Sequence, residues 1–267
     1  MSILRIATWN LWGGRTRAGD RVDLGRVLAT LRGLDADLVA LQEVDRCQPR
    51  SGETHQARLL GEALGLHWYY APALLGRLDL AGCPPAPAPG GRPQAQDGPG
   101  TGADEGGGAG ESGYGIALLS RVPLAEAETL RLPGAGGAEP RVALVATLPA
   151  GRAALTVAAT HLAVEPGLNL LQLRWLQRRL RQRATPQLLL GDLNLWRRLA
   201  HAASLPGWRP LARGATFPNQ PPGRLWPAVQ IDHVLGYGAV GRARRTRIVA
   251  SNASDHRAVL VEVKLPG

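Results

Sequence analysis

Six short β-prone runs in this 267-residue chain carry a chemically capable side chain at one end. Asn10 follows the run Ile3 to Trp9, and Glu43 closes Asp37-Leu38-Val39-Ala40-Leu41-Gln42. His161 closes the run that begins at Ala154, and Asp192 and Asn194 follow Gln187 to Gly191. Asp232 and His233 follow Gln230-Ile231, and Asp255-His256 precede the run Arg257 to Val263. Singly, an Asp or Asn after a strand is a turn or cap residue, a lone Glu is solvated, and a lone His is a structural hydrogen-bonder. Six such positions are harder to dismiss. Strands of a layered sheet that terminate at a common edge bring their end residues together. The pattern predicts one pocket lined by carboxylates, amides and histidines.

The segments between these runs supply helices. Leu24, Val27, Leu28 and Leu31 recur at helical spacing, with Asp20 or Asp23 as N-cap, and Leu59, Leu60, Ala63 and Leu64 suggest a second helix. Gly167 to Arg183 reads as a third, with Leu170, Leu171, Arg174, Trp175 and Arg178 marking an apolar stripe beside an arginine-rich face. Strand, helix, strand, helix opens a layered α/β fold. With hydrophobic residues at 45% and no fixed repeat, the chain reads as one domain over residues 1–267. Residues 82–113 break the pattern: Gly and Pro fill 17 of these 32 positions, too little apolar surface to offset chain entropy. They read as a flexible surface insertion, because a strand-like pattern resumes at Tyr114.

Two cysteines, Cys47 and Cys83, exclude a disulfide scaffold and a Cys-rich zinc site. No apolar run approaches the roughly 20 residues of a membrane helix. The first residues enter a strand pattern at once, without a basic-then-apolar leader. A cytoplasmic monomer without a transmembrane segment is expected. The formal charge of +10 suits a phosphate-rich partner. Lys264 is the sole lysine among 31 cations, however, so the surplus is also what biased codon usage would produce.

The polar set makes chemical sense. Hard oxygen donors such as Glu43 suit Mg²⁺ or Mn²⁺. A carboxylate can align and deprotonate water while a histidine held by a second carboxylate stabilises an oxyanion. Metal-assisted hydrolysis of a phosphoester is the reaction class this combination indicates.

The ordered motifs Thr8-Trp9-Asn10, Leu41-Gln42-Glu43, Thr160-His161-Leu162, Gly191-Asp192-Leu193-Asn194, Ile231-Asp232-His233 and Ser254-Asp255-His256 resemble those of the endonuclease/exonuclease/phosphatase superfamily. The resemblance runs from about Arg5 to Val263. It implies a four-layer α/β sandwich, two mixed β-sheets face to face with helices outside. It also implies Glu43 as the principal Mg²⁺ ligand, with Asn10 close by and Asp255 in the metal shell. Asp192, helped by Asn194, would orient or deprotonate the attacking water. His256, held by Asp232, would stabilise the scissile phosphate, and His161 would be a second phosphate-side histidine or the acid for the leaving group. His233 would pack near the site. Trp12 stands where apurinic endonucleases carry Asp, and His161 where they carry Asn, so the chain resembles the deoxyribonuclease and sphingomyelinase side. Glu139-Pro140-Arg141 is the nearest match to the Glu-Arg element of those relatives. The implied partner is a phosphoester, with nucleic acid the leading candidate and a phospholipid or small ester the alternative. Arg174, Arg178, Arg181, Arg197 and Arg198 are candidates for a phosphate track, and Trp196 and Trp226 for stacking on a substrate ring. A catalytically dead binding fold would lack Glu43, Asp192 or His256, and all three are present.

Overall fold

Both faces of the first strand are buried, and that sets the layer count. In a strand, successive side chains point to opposite faces. Here Ile6 packs in one apolar cluster while Ala7 and Trp9 pack in another. A sheet buried on both sides must have a partner layer on each.

The computed structural model describes residues 3–16, 21–78, 112–150, 153–183, 185–219 and 228–264. The first half contains β1 (Ile3–Asn10), α1 (Leu24–Leu34), β2 (Leu38–Gln48), β3 (Thr54–His55), α2 (Gln56–Leu64), β4 (His67–Leu75) and β5 (Gly113–Ser120). Then come β6 (Ala125–Arg131), β7 (Val142–Ala150), β8 (Ala153–His161), α3 (Leu168–Leu180), β9 (Gln187–Asp192) and α4 (Arg197–Ala203). β10 (Arg209–Pro210), β11 (Asp232–Tyr237), β12 (Ala243–Val249) and β13 (Ala258–Lys264) complete the chain. One sheet runs β12-β13-β1-β2-β5-β4, with β3 attached to β2, and the other runs β10-β11-β9-β8-β7-β6. Each sheet is mixed, with one parallel pair: β1 with β2, and β8 with β9.

The inner faces meet in one core. Ile6, Leu38, Ile116, Leu118 and Val261 from the first sheet pack with Val142, Leu144, Val157, Leu188 and Leu190 from the second. The outer face of the first sheet is covered by α1 and α2 through Val27, Leu31, Leu34 and Leu60. The outer face of the second is covered by α3 and α4 through Leu173, Leu176, Leu180 and Ala200. Helix, sheet, sheet, helix is the expected four-layer sandwich. Asp23 caps α1, its side chain accepting from the Arg26 amide.

Three details differ from the sequence reading. The buried stripe of α3 is Leu173, Leu176 and Leu180; of the expected stripe, Leu170 and Trp175 pack at its edge, and Leu171 is half exposed. Ser112 and Gly113, expected to belong to the insertion, are part of the fold: Ser112 is buried with its hydroxyl donating to the Cys47 carbonyl, and Gly113 opens β5 opposite Arg46 and Leu75. Residues 82–111 lie outside the described residues. The edge strands β6 and β12 are largely solvated and polar, so they carry no apolar alternation by which to be read.

Candidate active site

The inner-face parity of each central strand continues past the apolar core and ends on a polar residue. On β8 it runs Leu155, Val157, Ala159 and then His161; on β9 it runs Leu188, Leu190 and then Asp192. On β11, Asp232 precedes Val234. Register joins them: Asp192 lies opposite His161 on one side and Asp232 on the other. From the first sheet β1 contributes Asn10, opposite Gln42. The polar cluster therefore closes one open end of the inter-sheet space.

Glu43 reaches this end through a defect. Simple alternation from Leu41 would turn Glu43 toward the helices. A bulge between Gln42 and Val44, with Glu43 at φ 55°, lets Val44 take the outer position instead. Glu43 is half-buried and accepts from Asn10 Nδ2 at 2.9 Å.

Asp192 is the centre of the cluster. Its Oδ1 accepts from the Asn194 amide at 2.9 Å, and its Oδ2 accepts from Asn10 Nδ2 at 3.1 Å. His161 Nε2 and His256 Nε2 approach the same Oδ2 at 3.6 and 3.8 Å. Burial, and then the negative charge of Asp232, push the Asp192 carboxyl up to about 7, against the pull of His256, Asn194 and Asn10. A carboxylate that titrates near neutrality is suited to take a proton from water.

The two histidines differ in kind. His256 Nδ1 donates to Asp232 Oδ2 at 2.9 Å. Burial disfavours the charged ring, but the charge and hydrogen bond of Asp232, with Asp192 and Asp255 behind, push His256 up to about 10. His161 Nδ1 instead lies 2.9 Å from Arg141 Nη1, and Arg141 pairs with Glu139 Oε1 at 3.0 Å. Burial, the Arg141 charge and His256 hold His161 well below the ordinary imidazole range. Burial also lifts the Glu139 carboxyl, which Arg141 partly offsets.

The surrounding loops are tied to the cluster. Ser254 Oγ donates to the Asn10 carbonyl at 2.7 Å, and Trp9 Nε1 donates to the His256 carbonyl at 3.1 Å. Asn194 Nδ2 donates to the Leu162 carbonyl at 2.9 Å, so its side chain ties two site loops together. His233, on the opposite face of β11 from Asp232, donates Nε2–H to the Leu195 carbonyl at 2.8 Å and points away from the pocket. Phe217 was missed by sequence reasoning, and its ring lies 4.8 Å from that of His256. It is the only phenylalanine in the chain, the one signal that could have marked it. Asp45 was missed as well; fully buried, it holds Arg50 through two hydrogen bonds of 2.9 and 2.6 Å, and Arg50 in turn lies over the Tyr114 ring. Two of the five arginines expected in a phosphate track are engaged elsewhere: Arg174 donates to the Ala203 carbonyl and Arg181 to the Tyr237 hydroxyl. Trp196 is 68% exposed, and Trp226 lies outside the described residues.

Two donor sets offer themselves to a cation. Atoms of Asp192, Asp232 and His256 lie within 4.8 Å of one another. With Nδ1–H committed to Asp232 and the ring charged, His256 has no lone pair to give. Glu43 and Asp255 are the alternative, both half-buried and without an ion pair among the described residues. Burial and the charge of Glu43 push the Asp255 carboxyl up, against His256. The charge of Glu43 acts on Asp255, and two such hard-oxygen carboxylates are a set that a divalent cation relieves, so the residue types fit such an ion.

Two mixed sheets face to face, helices outside and a carboxylate–imidazole cluster at their open end define a phosphoesterase-type α/β sandwich. The chain belongs to the endonuclease/exonuclease/phosphatase family, whose sequence profile matches residues 7–256. No curated protein sequence matches it significantly. Among solved structures, an endonuclease/exonuclease/phosphatase from Beutenbergia cavernae is similar at 24% identity and a TM-score of 0.72, over 100% of this chain and 72% of that one. A mannosyl-6-phosphatase from Bacteroides thetaiotaomicron is similar at 16% identity and a TM-score of 0.70, over 98% of this chain and 100% of that one. Truncated Caenorhabditis elegans TDP2 is similar at 15% identity and a TM-score of 0.66, over 98% of this chain and 97% of that one. At these identities the likeness establishes the fold. No helix among the described residues is long and apolar enough to cross a membrane.

Proposed function

We propose that this protein is a divalent-metal-dependent hydrolase of phosphodiesters, with nucleic acid as the leading substrate. One observation carries the reading: Asp192 Oδ2 sits among three converging side-chain nitrogens, Asn10 Nδ2, His161 Nε2 and His256 Nε2, at 3.1, 3.6 and 3.8 Å. A carboxylate that can accept a proton beside donors that can bind phosphoryl oxygens is the arrangement in-line attack by water requires.

Asp192, held in orientation by the Asn194 amide and Asn10, takes the proton of the attacking water. His256 carries a positive charge fixed by Asp232 and stabilises the negative charge that develops on the phosphoryl oxygens. His161 donates a hydrogen bond to the same group, while the two N–H groups of Asn10 stay on Glu43 and Asp192. Glu43 and Asp255, with Asn10 orienting Glu43, would hold Mg²⁺ or Mn²⁺, whose role would be to neutralise phosphate charge. Glu139 and Arg141 support His161 from behind. The net charge of +10 supports a polyanionic substrate over a neutral one.

Nicking of supercoiled plasmid by the purified protein with Mg²⁺, with and without EDTA, tests the proposal. Chelator-sensitive nicking that disappears in Glu43→Ala is the expected result. Well-folded protein that leaves the plasmid intact would overturn the nuclease assignment and turn attention to lipid or small phosphate esters.

A further inference from the structure

The superfamily resemblance leaves His161 two roles, hydrogen-bond donor to the phosphate or acid for the leaving group. Which one it can fill depends on where its protons are. A guanidinium has only donors. With Arg141 Nη1 2.9 Å from His161 Nδ1, that ring nitrogen must present its lone pair, and the proton of the neutral ring sits on Nε2. Nε2 is the atom directed at Asp192 Oδ2, 3.6 Å away.

Arg141 is not free to move aside. It is 7% exposed, it pairs with Glu139, and it leads directly into β7. There the Val142 carbonyl accepts from Thr160 Oγ at 3.0 Å, fixing the residue after Arg141 to the residue before His161. Protonating Nδ1 would aim an N–H at the N–H donors of a buried cation. The contrast with His256 is built in, because its Nδ1 faces the carboxylate of Asp232.

We propose that Arg141 is a positioning residue that locks His161 in the neutral Nε2–H tautomer, making it a fixed hydrogen-bond donor to the phosphoryl group and not the acid for the leaving group. This rests on the hydrolytic reading above for its catalytic half. Its tautomer half stands on geometry alone.

Nitrogen-15 NMR of the histidine rings in metal-free protein tests the lock without turnover, with His161 assigned by the signal lost in His161→Gln. Near neutral pH the ring is expected to show a bare Nδ1 and a protonated Nε2; a protonated Nδ1 would overturn the proposal. Arg141→Lys should preserve that pattern and Arg141→Met should lose it. A ring unchanged in Arg141→Met removes Arg141 from the assignment. For the catalytic half, His161→Gln is assayed on aryl phosphodiesters with p-nitrophenyl and phenyl leaving groups. Equal fold losses are expected. An extra loss on the order of 10²-fold on the phenyl ester, the size of a missing general acid, would restore the acid role. If wild-type protein hydrolyses neither ester, the hydrolytic reading fails, and the ring spectra still decide the lock.

Discussion

Replacing Asp232 by Asn removes one negative charge from a buried hydrogen bond while keeping the side-chain volume. In the native site, His256 Nδ1 donates to Asp232 Oδ2 at 2.9 Å, and both residues are buried. Burial opposes the charged ring; Asp232 is the largest of the groups that overcome it and lift His256 from 6.5 to about 10. At about 1.4 kcal/mol per pH unit, that interval is roughly 5 kcal/mol of preference for the imidazolium. Most of it is expected to vanish in Asp232→Asn, while burial remains, so His256 should titrate at or below its ordinary value. At about pH 7.5 the native ring is then fully charged, and the variant ring is charged in roughly one molecule in ten or fewer. NMR titration of His256 in the metal-free protein reads this directly. Turnover of a diester substrate reads its consequence. Native activity should show no loss from this ring until pH approaches about 10, whereas the variant should lose about tenfold per pH unit on the alkaline side of its lowered value. A variant ring that still titrates near the native value would refute the assignment of Asp232 as the cause. Parallel pH–rate profiles would refute the need for a charged His256.

Thermal stability of the metal-free protein should fall as pH rises through the site's titrations. Raised groups contribute stability below their unfolded values and lose it above their folded ones, so Asp192 loses its share between 3.8 and about 7 and His256 between 6.5 and about 10. His161 and His233, both depressed by burial, act oppositely and lower stability as pH falls below 6.5. Asp192→Asn should flatten the fall between 3.8 and about 7, as followed by melting temperature against pH. Gly191→Ala should destabilise by at least the 1–3 kcal/mol or so of an overpacked core, because a Cβ there would lie 1.9 Å from the Thr160 carbonyl oxygen. Displacement of the adjacent Asp192 should also lower turnover; urea melts and kinetics on one preparation separate the two effects. Asp23→Ala, which removes the side-chain cap of α1, should cost about 1 kcal/mol in a urea melt and leave turnover unchanged.

Much of this site was readable because its residues end the central strands. His161, Asp192 and Asp232 stand at the ends of β8, β9 and β11, which are visible in the sequence as short apolar runs. Local capping was readable for the same kind of reason, as with Asp23 before Leu24. What resisted reading depended on partners distant in the chain. Asp45 holds Arg50 at a short separation, yet the neighbouring Tyr114 ring comes from β5. Phe217 meets the ring of His256 across a long stretch of chain, a contact that no local pattern announces. The arginines in and just after α3 suggested a phosphate track by charge alone, and Arg174 and Arg181 are spent on the Ala203 carbonyl and the Tyr237 hydroxyl.

The sequence by itself determined the layered α/β class, the central strands and the identity of the polar residues at their ends, since periodicity and strand-end chemistry are local properties. Only the tertiary structure decided how those residues work together. A bulge paired against β5 turns Glu43 into the pocket instead of toward the helices. Pairing of β7 with β8 brings Arg141 to one histidine, while the β9–β11 register brings Asp232 beside Asp192, where it meets the other. Two imidazoles with the same intrinsic chemistry thereby acquire opposite proton inventories, because a ring nitrogen facing a cation must accept and one facing a carboxylate must donate.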